Sequence, residues 1–234
     1  MSEIDDLLDY IFDGERPAFY GEFEGWVRAS RRYRAFAALY RAKVRAKLRH
    51  ATRRAGPDGP DGGLGDVRAE LEAAALLLRE ERFAVEYETY AARKQRGPDL
   101  TVTFKGHTPF NVEVRRVRGG EDAGEARAAR LAAVLCDKVG QMPPGIVNLL
   151  WLLPEGELTA DDVARAALAL QRLAERKEEA YFARWGFDSA ADFLRQYARL
   201  SGVALRLPAE ITVWLNPIAR HNAPPAVVAA MRRL

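Results

Sequence analysis

Tyr33, Phe36, Tyr40, Val44 and Leu48 recur at intervals of three or four, the spacing that lines side chains along one face of a helix. The surrounding pattern predicts helical structure from about residue 3 to 54, with this stripe facing a core. The stretch GPDGPDGGLG, residues 56 to 65, has no apolar periodicity and is rich in Gly and Pro, which predicts a linker. It lacks both the Gly-Lys-Ser/Thr ending and the preceding strand of a phosphate-cradling loop. From Asp66 the pattern alternates between periods. It predicts a helix over 66–81, strands over 83–90, 99–105 and 110–117, a helix over 124–140, and a continuous apolar strand, IVNLLWLL, over 146–153. Thr159 caps a further long helix with Asp161 and Asp162 in its first turn, and Asp188 opens another that is expected to end near Gly202. The short strands GVALRL and EITVWLN and a helix after Pro224-Pro225 complete the chain.

Three strands after one helix, then a helical crossover into a buried strand, predict an α/β domain built on a central mixed sheet flanked by helices. The expected division is a helical, basic segment over 1–55, a linker over 56–65 and the α/β domain over 66–234.

Composition narrows the function classes. Of 234 residues, 48% are hydrophobic and 29% charged, the proportions of a globular rather than a disordered chain. No apolar run reaches the roughly 18 residues of a membrane span, and the acidic start MSEIDDLLDYIFDGE lacks the positive region of a signal peptide, so a cytoplasmic protein is expected. The single cysteine, Cys136, lies in a helical pattern and reads as a buried structural thiol.

The net charge of +3 is unevenly spread. Residues 28–54 hold eleven Lys or Arg and no Asp or Glu, which leaves 25 basic against 33 acidic residues elsewhere. Arg41, Lys43, Arg45, Lys47 and Arg49 lie on this segment as candidate phosphate contacts for a nucleic acid. The competing expectation is a solvated helix face.

The stretch RGPDLTVTFKGHTPFNVEVRRVR, residues 96–118, places two carboxylates among residues suited to burial. Glu113 and Arg115 stand two apart on a strand and share a face, opposite Val112 and Val114. Asp99 follows a Gly-Pro that fixes the start of its strand, and the turn at Gly106 to Pro109 brings the two strands side by side. Converging carboxylate oxygens suit Mg²⁺, a hard cation that leaves positions for water and a substrate phosphate.

The order helix, strand, PD, a gap of 13 residues, EVR, helix and strand over residues 66 to 153 resembles the PD-(D/E)XK nuclease superfamily, the restriction-endonuclease-like fold. The resemblance implies a Mg²⁺- or Mn²⁺-dependent phosphodiesterase acting on nucleic acid, more readily DNA, with Asp99 and Glu113 as metal ligands. It also implies a carboxylate on the preceding helix, for which Glu70 and Glu72 compete. Glu70 flanks the apolar stripe Val67, Leu71, Ala74, Leu78, whereas Glu72 lies toward Arg68 and Arg79, so Glu70 is expected. Arg115 stands where the superfamily pattern has Lys. A guanidinium stays protonated, so Arg115 supplies fixed charge to a phosphate but no general base. Lys94 and Lys105 are candidates for the missing amine.

Two expectations of other classes stand beside this one: a catalytically degenerate module that binds nucleic acid, and a protein-interaction scaffold. A homodimer is compatible with each. His50, His107 and His221 lack His or Cys partners at metal-ligand spacing, which argues against zinc chemistry.

Overall fold

The computed structural model describes residues 2–53, 61–91, 95–118 and 124–234. The expectations for Lys94 and for residues 54–60 lie outside them. The N-terminal segment forms three helices: α1 (Glu3–Phe12), α2 (Tyr20–Ala29) and α3 (Arg31–Arg53). Ser2 opens α1 with a reciprocal cap to Asp5. Asp13 and Gly14, with φ of 57° and 81°, end it in the left-handed region. Extended backbone at Ser30 separates α2 from α3. Of the predicted stripe, Tyr33, Phe36, Val44 and Leu48 are buried and Tyr40 is half-buried.

Helix α4 (Asp61–Leu77) begins five residues before its predicted start, within the stretch read as a linker. Its glycines mark close approach rather than a break. A Cβ on Gly63 would stand 3.0 Å from Cβ of Ala51 on α3, and one on Gly65 would stand 2.2 Å from the Arg116 guanidinium. The linker expectation is therefore corrected over 61–65.

Strands β1 (Phe83–Tyr87), β2 (Leu100–Phe104), β3 (Thr108–Val117), β4 (Val147–Pro154), β5 (Leu200–Arg206) and β6 (Ile211–Leu215) form one mixed sheet in the order β1-β2-β3-β4-β5-β6. β1, β2 and β3 pair antiparallel, β3, β4 and β5 pair parallel, and β6 returns antiparallel. The parallel pairs need crossovers. Helix α5 (Glu125–Val139) supplies the first, and α6 (Ala160–Glu175), α7 (Glu179–Ala183) and α8 (Ala190–Tyr197) supply the second. This is the expected α/β class, a mixed sheet between helical layers.

Alternation along the strands sorts side chains between two cores. Phe110, Val112, Val114, Leu149 and Trp151 pack with α1 to α4 and with α9 (Pro225–Met231) on one face. Val117, Leu150, Leu152 and Leu205 pack with α5 to α8 on the other. Asn111 and Glu113 share the second face yet are buried.

Several boundaries differ from expectation. β1 ends at Tyr87 rather than residue 90, because Glu88 takes a φ of 49°. α8 is capped by Ser189, one residue after Asp188, and stops at Tyr197. Gly202 lies inside β5, where a Cβ would meet the Trp214 carbonyl at 2.5 Å. Thr159 caps α6 as expected, in a reciprocal box with Asp162. Among the described residues no helix is long and apolar enough to cross a membrane.

Candidate active site

The backbone around Pro98 places the first carboxylate. Gly97 precedes it with room for no side chain, since a Cβ would lie 2.4 Å from the Tyr90 ring. Asp99 then stands at the head of β2, where its Oδ2 accepts a 2.9 Å hydrogen bond from the Val114 amide of β3. Glu113, on the neighbouring strand position, turns toward α5 and is 4% exposed. Its Oε1 accepts a 2.8 Å hydrogen bond from Lys138 Nζ. Glu70 arrives from α4. Its Oε2 accepts from Tyr87 Oη at 2.7 Å and from Lys47 Nζ at 2.5 Å.

Glu70, Asp99, Glu113, Arg115, Arg116 and Lys138 line one small polar cleft of about 80 Å³, together with Asp66, Ala69 and Val114. The structure thus brings the three sequence-predicted carboxylates to a single place. It keeps Glu72 away from it, 3.8 Å from Arg68. Arg115 borders the cleft without an ion pair among the described residues, and its Nε is buried with no hydrogen-bond partner there. It does not engage Glu113. Arg116 beside it is held by Asp66 at 3.0 Å and Glu155 at 2.8 Å. Lys105 lies in the β2–β3 turn with a φ of 51°, its Nζ over the Phe104 ring.

Electrostatics couple the carboxylates. Burial, with the charge of Asp99 as the second cause, raises Glu70 to about 8 and Glu113 to about 7. Lys47 and Lys138 oppose that rise without cancelling it. Burial alone would lower Lys47, yet Glu70, Asp99 and Glu88 hold its ammonium above the usual lysine range. The buried carboxylates crowd one another, and desolvation and Asp99 together hold Glu70 above the usual carboxylate range despite Lys47.

The row expected to face a nucleic acid is engaged within the chain. Arg45 donates to the Tyr10 carbonyl at 2.6 Å and pairs with Asp13, and Arg49 pairs with Asp13 at 2.9 Å. The Arg41 guanidinium lies 4.9 Å from the Tyr10 ring centroid. Lys43 Nζ donates to the carbonyls of Tyr87 and Glu88. Lys47 does not line the cleft but pairs with Glu70 and Asp99, which do. Sequence reasoning assigned it to the phosphate row and did not single out Lys138, Tyr87 or Glu88. A signal for both lysines existed: Lys47 lies three residues after Val44 and Lys138 three after Leu135, so each sits on the apolar side of its helix, where a lysine needs a buried anion.

For a divalent cation the donor chemistry fits. Among the described residues the hydrogen bonds of Glu70 fall on Oε2 and that of Glu113 on Oε1, leaving the second oxygen of each without one. The placement is less complete. Among the described residues no three His, Cys, Asp or Glu side chains form a group that could hold a metal ion as they stand; ammonium groups stand among the carboxylates. Compared with family models, with curated proteins and with solved structures, the chain matches none.

Proposed function

We propose that the protein is a Mg²⁺- or Mn²⁺-dependent phosphodiesterase of nuclease type, acting in the cytoplasm on nucleic acid and on DNA in preference to RNA. One observation carries this reading: carboxylates from α4, the head of β2 and the middle of β3 reach one cleft that Arg115 and Lys138 also border. Asp99 and Glu113 would hold the cation, with Glu70 as the third carboxylate. When bound, the cation would activate water and neutralise charge on the scissile phosphate. The protein's own groups do the remainder. Arg115, which borders the cleft with no ion pair among the described residues, would contact that phosphate and stabilise charge developing on it. Lys138 donates to Glu113 at the cleft wall and favours its ionised form against burial and Asp99.

The test is cleavage of supercoiled plasmid and of single-stranded oligonucleotides with Mn²⁺, comparing the parent with Asp99→Ala and Glu113→Ala. Metal-dependent nicking lost in both variants, with folding intact, supports the reading. No cleavage by the parent at millimolar metal rejects it. A second reading is favoured by the ion pairs of Lys47 and Lys138, which already neutralise the carboxylates: a degenerate nuclease-type module that binds nucleic acid without cutting it. Binding without cleavage would select it.

A further inference from the structure

Lys47 extends from α3 to the place where α4, the end of β1 and the head of β2 come together. Its Nζ lies 2.5 Å from Glu70 Oε2, 3.0 Å from Glu88 Oε1 and 3.6 Å from Asp99 Oδ1. The ammonium also lies 5.0 Å from the Tyr87 ring centroid. Three carboxylates from three separate elements around one positive centre make the surroundings that a hard cation seeks. Here the chain supplies that cation itself. Two of these three side chains are the Glu70 and Asp99 of the proposed metal site.

Resting on that reading of the cleft, we infer that Lys47 is a built-in competitor of the divalent cation, withholding Glu70 and Asp99 until its ammonium withdraws. The geometry offers a route for withdrawal. The contact to Asp99 is the longest of the three, and the Lys47 side chain is 26% exposed, so rotation about its flexible stem carries the ammonium to solvent. A metal entering beside Asp99 meets a like charge while Lys47 stays, and meets surplus negative charge once it leaves. The N-terminal helices then regulate the α/β domain through a single side chain.

Mn²⁺ alone is the probe, titrated calorimetrically into the full chain. Lys47→Met should bind Mn²⁺ at least about ten-fold more tightly than the parent, because one positive charge near the metal is gone. Lys47→Arg, which keeps the charge, should stay at the parent's affinity. Lys47→Gln removes the charge but keeps a hydrogen-bond donor for Glu70, and serves as the neutral variant should the Met variant fail to fold. Neutral variants that bind Mn²⁺ no more tightly than the parent overturn the inference. The phosphodiesterase reading survives that result if Asp99→Ala still abolishes binding and cleavage in the parent. No Mn²⁺ binding by the parent or by any Lys47 variant rejects both.

Discussion

Lys138 and Glu113 face one another between α5 and β3, Nζ to Oε1 at 2.8 Å, with side-chain exposures of 13% and 5%. Removing one partner of so buried a pair strands the other. Lys138→Met should lower stability by about 3 kcal/mol, the low end for breaking such a pair. The loss should be larger at pH 9 than at pH 5, where Glu113 takes up a proton and no longer needs an ammonium. Urea unfolding at the two pH values checks this. Equal losses at both would mean that Lys138 acts through its packing alone.

The raised carboxyls make a second prediction about pH. Unfolded, Glu70 and Glu113 titrate near 4.5, whereas folded they hold protons up to about 8 and about 7. The folded state therefore binds more protons throughout that window, and stability falls as pH rises from about 5 to about 8. Glu70→Gln should flatten the decline, and Glu70→Gln with Glu113→Gln should flatten it further. Thermal midpoints across pH 5 to 9 provide the measurement. A decline of unchanged slope in the double variant would place its origin elsewhere.

Arg115 carries the sharpest chemical prediction. It borders the cleft with no ion pair among the described residues, so substitution there tests the proposed phosphate contact. Arg115→Lys should raise the rate of plasmid nicking, since a lysine packs closer to an attacking water and can lose its proton. Arg115→Ala should lower it, on the order of 100-fold if a charge-stabilising donor is lost. Similar rates for all three would remove Arg115 from the chemistry.

The engaged α3 row predicts where salt sensitivity should reside. Because Asp13 already holds Arg45 and Arg49, Arg45→Gln with Arg49→Gln should leave the salt dependence of DNA binding unaltered. Arg115→Gln should reduce the slope of log affinity against log salt by about 0.9, the share of one phosphate. Fluorescence anisotropy across a salt series decides between them.

How much of this was legible in the sequence follows the range of the interactions. Alternation along 110–117 and the helical wheel of α4 are local. They placed Glu113 on a strand face and favoured Glu70 over Glu72; Glu70 lines the cleft and Glu72 lies by Arg68. The partners of the carboxylates are not local. Lys47 is 23 residues from Glu70, and Lys138 is 25 from Glu113; no spacing rule reaches that far. Glycine misled for a related reason. Gly63 and Gly65 read as chain punctuation, but their use is to let α4 approach Ala51 and Arg116, contacts set by tertiary packing. Asp13 was equally hidden as the partner of Arg45 and Arg49, because it ends a different helix.

One core holds Leu7, Phe23 and Tyr33 of the N-terminal helices together with Phe83 and Phe110 of the sheet and Met231 near the C-terminus. The expected division between the N-terminal helices and the α/β domain therefore runs through a shared core. Arg32 reinforces the union by donating to the carbonyls of Leu78 and Glu80 at 2.7 and 3.0 Å and to that of Phe83, binding the end of α4 and the start of β1 to α3. Melting should then be a single transition, with the slowest-exchanging amides shared between α3 and the central strands rather than confined to either.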